Sequence, residues 1–138
     1  FLAEDFDYAL TVVNSGIEGM ESEWKEMLLT KIRAHQAASA GKNEEAARLF
    51  QQFMDKIKAT DEAQVGAQDP STGLRVTKDE VLGLNAARIS NLWRLVGNTE
   101  KSKASMEEAK THYAKALATS KEGSEERKAI QKKIAELE

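Results

Sequence analysis

The 138-residue chain has 31% charged residues, 6% aromatics, one proline and no cysteine, with a formal net charge of −3. This balance suits solvated helices better than a β-sandwich, and a chain without cysteine has no thiolate metal site, disulfide or cysteine nucleophile. The acidic total weighs against nucleic acid as the main partner, since phosphate binding needs a concentrated basic face. Residues 1–83 hold 9 Lys/Arg against 15 Asp/Glu and residues 84–138 hold 11 against 8, but the basic excess forms no block.

The first element is expected over residues 1–16, where Leu2, Phe6, Ala9, Leu10 and Val13 share a helical face and Asn14-Ser15-Gly16 ends it. A second helix runs from Glu21 to Ala40 with Trp24, Leu28 and Ile32 as its stripe, stopped by Gly41 at a C′ position. Asn43 is placed to cap the third, with Glu44 and Glu45 on its N-terminal dipole. In that helix Ala46, Phe50, Phe53 and Ile57 stack, and Glu44 pairs with Arg48 at i,i+4.

Residues 60–76 lose the apolar period, and Asp69-Pro70-Ser71-Thr72-Gly73 marks a turn within an irregular loop. Thr77 and Glu80 have capping-box spacing and open a helix with Leu82, Ala86, Ile89, Trp93 and Val96 inward. Gly97-Asn98 ends it. The next helix starts at Thr99 and carries Ser102, Met106, Ala109, Tyr113 and Ala116. Ser124 then caps a last helix with Ile130, Ile134 and Leu137 inward and charges elsewhere, a polar-backed end suited to closing a stacked array. The expectation is one all-α domain over 1–138 with about six helices. Three antiparallel pairs result only if the first helix has a partner upstream of Phe1.

Two stretches echo one another. Counting from Gly41, Ala46, Phe50 and Phe53 fall at the intervals at which Ser102, Met106 and Ala109 follow Gly97, and Ala34 and Ala37 precede Gly41 as Ser90 and Trp93 precede Gly97. Small residues let two helices approach where they cross, and a large residue one turn on fills the gap. This pattern resembles the tetratricopeptide repeat, with repeats at 27–59 and 83–115 and a polar C-terminal capping helix. The glycines stand 56 residues apart rather than the family's roughly 34, with the loop at 60–76 taking up most of the surplus. Ser102 stands in place of the usual alanine, and Phe53 sits where alanine is expected.

Nothing in the sequence points to catalysis, a cofactor or a metal. His35 and His112 lie outside HExxH or ExxH spacing, and GxSxG and phosphate-cradling glycine loops are missing. Both histidines read as partly exposed helical residues. Arg88, Asn91 and Arg94 share a face, yet the flanking helices lack helix-turn-helix spacing. The resemblance implies a protein–protein interaction scaffold that takes a peptide or partner protein on the groove faced by the first helix of each repeat. It carries partner binding onto Lys31, His35, Arg88, Asn91 and Arg94, where cations and amides could hold a carboxylate. The alternative is a structural or sensory bundle supporting a neighbouring domain. No apolar run reaches the ~20 residues of a membrane span, and no secretory signal peptide is visible. The chain opens on Phe1, which leaves localisation open.

Overall fold

The computed structural model describes residues 22–60, 67–68 and 75–137. Within them the chain is all-α, with five helices and one short ladder: α1 (Ser22–Ser39), α2 (Asn43–Lys58), β1 (Ala67–Gln68), β2 (Arg75–Val76), α3 (Lys78–Val96), α4 (Thr99–Thr119) and α5 (Glu125–Glu136). The helix expected over residues 1–16 lies outside the described residues. Each helix packs on the next in sequence, most extensively α3 on α4 and least α4 on α5.

The two glycine joints have the same backbone solution. Gly41 (φ 78°) and Gly97 (φ 88°) adopt the left-handed conformation. Each donates its N–H to the carbonyl three residues back, Ala38 and Arg94. The residue after each donates five back, Lys42 to Ala37 and Asn98 to Trp93. This double bond pattern is a Schellman ending, which satisfies carbonyls the helix leaves open. The next helix then starts alike, with Ala46 N–H donating to Lys42 O and Ser102 N–H to Asn98 O.

The small residues of both hairpins are drawn inward, and in the second they touch, Ser90 Oγ donating to Ser102 O. Ala34 and Ala46 are fully buried, and Ser90 is buried against a half-buried Ser102. Phe50, Phe53, Met54 and Ile57 of α2 join Met27, Ala34 and Ala37 of α1 and Leu82, Ala86, Ile89, Leu92 and Trp93 of α3 in one core cluster. Helix α2 is therefore covered on two sides. This explains why Ala47 is buried and its counterpart Lys103 on α4 is exposed. At the other end Tyr113 lies flat on the α3 backbone at Gly83, where a Cβ would stand 2.9 Å from the ring.

Caps at the later helices follow the sequence. Thr77 Oγ1 accepts from Glu80 N–H at 3.3 Å, and Glu80 Oε2 accepts from Thr77 N–H at 2.8 Å. The same buried Glu80 holds Lys133 of α5 at 3.2 Å, so the capping box also fastens the last helix. Ser124 accepts from Arg127 N–H as expected, and Asn98 also caps, accepting from Lys101 N–H.

Four expectations are corrected. Asn43 does not cap α2: it is already helical, and Lys42 holds the cap position without a side-chain bond, because the Schellman turn brings the chain into the helix one residue early. The buried residues of α1 are Met27, Leu29, Thr30, Ala34 and Ala37, while Leu28 and Ile32 are half-buried; the side chain of Trp24 lies outside the described residues. Ala34, fully buried in the core cluster, lies on the side of α1 that packs, and the second stripe flanks it. Val96, the last residue of α3 beside the Gly97 turn, is 43% exposed rather than inward. Finally, the stretch 60–76 is not wholly irregular. Ala67 pairs with Val76 and Gln68 with Arg75 in an antiparallel ladder; the turn expected at Asp69–Gly73 lies outside the described residues.

Candidate functional site

Of the five residues singled out for partner binding, the fold brings three together. Lys31 and His35 stand one turn apart on α1, and Arg88 comes from the middle of α3. All three gather over aromatic rings supplied by α2. Lys31 Nζ sits 5.5 Å from the centre of the Phe53 ring and Arg88 Cζ 5.9 Å from that of Phe50. The His35 ring meets Phe50 edge-on at 5.0 Å. A cation within about 6 Å of a ring face is attracted by its quadrupole, so the phenylalanines serve as both core and floor.

Electrostatics sharpen the picture. Burial, and then the neighbouring Arg88, holds the Lys31 ammonium below its ordinary pKa. Burial also lowers Arg88, partly countered by Tyr113. His35 is pushed down to about 4, by burial first and then by Arg88 and Lys31, so at neutral pH it is a neutral imidazole. Among the described residues no carboxylate lies within ion-pair distance of Lys31 or Arg88. Two partly desolvated cations repel each other there, an arrangement that an anionic group would relieve.

Asn91 and Arg94 behave differently. Both are exposed farther along α3, and the Arg94 guanidinium donates to Asn91 Oδ1. They extend the positive face toward the end of α3 but already satisfy one another. The Phe50 and Phe53 contribution was legible only as core, because their spacing on α2 matches core packing.

A second polar cluster was missed. His112 is buried rather than partly exposed: its Nδ1 lies 3.2 Å from Asp79 Oδ1 and its Nε2 3.7 Å from Glu108 Oε1. Glu108 also holds Lys58 at 2.6 Å, and Lys78 Nζ donates to the carbonyls of Lys58 and Thr60. This network ties the end of α2 and the start of α3 to α4, and so fixes both ends of the stretch between them. Its groups are mutually paired, which marks it as a fastening. The signal for it was the unpaired position of Asp79 in the first turn of α3, which sequence spacing could not connect to a residue on α4.

Comparison with protein-family models, with curated proteins and with solved structures returned no match. Among the described residues no group of three or more His, Cys, Asp or Glu could hold a metal ion, and no helix is long and apolar enough to cross a membrane.

Proposed function

We propose that this chain is a non-enzymatic protein–protein interaction module of tetratricopeptide-like architecture. It would bind a peptide or partner protein on the groove faced by α1 and α3. Packed helices in such an array hold a groove rigidly, so little ordering cost falls on the scaffold when a partner docks. The observation that carries this reading is the gathering of Lys31, His35 and Arg88 over Phe50 and Phe53, with no carboxylate of the described residues within ion-pair distance of Lys31 or Arg88. The matched Schellman joints support the repeat-like architecture. Nucleic acid is disfavoured as a partner by the net charge of −3.

A second reading, a structural or sensory bundle that supports a neighbouring domain, is favoured by one observation: Asn91 and Arg94 bond to each other. The two readings separate in an affinity capture that compares the full chain with a Lys31→Glu/Arg88→Glu variant. A binding module loses specific partners in the variant. Identical partner sets from two folded proteins would remove the groove assignment.

A further inference from the structure

Most large apolar side chains in the described residues are covered. Three are exposed, Leu84 at 42%, Leu95 at 55% and Val96 at 43%, and all three are on α3. Leu84 and Leu95 lie eleven residues apart, so they fall on one line about 16 Å long at ~1.5 Å rise per residue. Arg88 and Asn91 lie between them on that line, giving Leu84-Arg88-Asn91-Leu95 a spacing of four, three, four. This is the seam spacing by which one helix packs against another. It runs on the side of α3 opposite Leu82, Ala86, Ile89 and Trp93, which fill the core.

The seam has apolar ends and a positive middle. Arg88 has no ion-pair partner among the described residues, and Arg94 and Lys31 add charge nearby. The carboxylates of α3 are used elsewhere, Asp79 on His112 and Glu80 in its capping box and on Lys133. A second copy laid on this face would oppose its own Lys31, Arg88 and Arg94, so self-pairing is repulsive. A partner with acidic residues between two apolar anchors is complementary.

We infer that the outward face of α3 docks an acidic amphipathic helix of a partner protein, with its two apolar anchors on Leu84 and Leu95 and its carboxylates on Arg88 and Lys31. The inference rests on the groove reading and specifies the shape and charge of the occupant: a helix lying along α3 rather than an extended segment.

The test measures fluorescence anisotropy of the full chain with three labelled alanine-based peptides. The first carries leucines at i and i+11 and glutamates at i+4 and i+7; the second replaces those glutamates with lysines; the third is the acidic peptide with a central proline. Binding of the acidic helix is expected to weaken with salt, and by about tenfold or more in a Leu84→Asp/Leu95→Asp variant that keeps its helical circular dichroism. The lysine and proline peptides should bind at least about tenfold more weakly. Equal binding of the lysine peptide, no binding of the acidic helix, or indifference to the leucine substitutions overturns the inference. If the proline-broken peptide binds as tightly and still depends on Arg88, the helical occupant is wrong but the groove stands. A concentration-dependent dimer abolished by Leu95→Asp would assign the face to a second copy instead.

Discussion

Ser90 and Ser102 exchange hydrogen bonds across the α3–α4 crossing. Ser90 Oγ donates to Ser102 O at 2.7 Å, and Ser102 Oγ donates to Ser90 O at 2.9 Å. The equivalent positions in the first hairpin, Ala34 and Ala46, are both fully buried in the core and carry no polar side-chain atoms. The serines therefore keep the small volume that a close crossing needs and add a polar tie. Replacing both by alanine should cost only about 1–2 kcal/mol, since each lost bond is worth about 1. A Ser90→Leu change should cost more, about 3 kcal/mol, by forcing the helices apart. Chemical denaturation of the two variants decides it; equal losses would show that the crossing is not close-packed.

The two glycine joints make a matched pair of predictions. Gly41 and Gly97 have open space where a Cβ would go, so the penalty for alanine is the left-handed backbone alone. Each Gly→Ala substitution should then cost about 1–2 kcal/mol, and the two costs should be similar. A large cost at one glycine and none at the other, read from denaturant midpoints, would mean that the joints are not equivalent.

Much of this arrangement was legible in the sequence. Residue spacing around Gly41 and Gly97 located both joints, and Thr77 with Glu80 announced α3 because a capping box is local chemistry. What was not legible depended on rotation and on distant partners. Leu28 and Ile32 form as good a stripe as Met27, Thr30, Ala34 and Ala37, and only the packing that buries Ala34 decides which faces inward. The burial of His112 required knowing that α4 passes the first turn of α3 at Asp79. At the candidate site, residue type singled out Lys31 and Arg88, while their shared aromatic floor came from a third helix.

Gly83 has a different role from the joint glycines. Its backbone is helical, and it is small because the Tyr113 ring lies against it. Gly83→Ala gains helix propensity but puts a methyl group 2.9 Å from that ring, so a net loss of about 1–3 kcal/mol is expected. Tyr113→Leu in the same chain should absorb part of that loss. If Gly83→Ala raises the thermal midpoint instead, the ring is not seated on the backbone.

His35 gives a pH dependence with a definite sign. The unfolded imidazole titrates near ~6.5, and in the fold it is held down to about 4. Between those values the unfolded chain binds more protons, so stability present above ~6.5 is lost as the pH falls toward the folded value. A His35→Gln variant should show a shallower fall in denaturant midpoint between pH 6.5 and 4 than the parent. Parallel curves would mean that His35 is solvated in the fold.

Partner binding as proposed requires α1 and α3 to face one groove, and a chain without cysteine allows a direct measurement. With Lys31→Cys and Arg88→Cys introduced together, a short bis-maleimide should bridge the two thiols within one molecule, detected by mass spectrometry. A Lys31→Cys/Lys103→Cys pair, whose second site is exposed on α4, should remain unbridged. Absence of the first bridge in a protein that keeps its helix content, or equal bridging of both pairs, would contradict the shared groove.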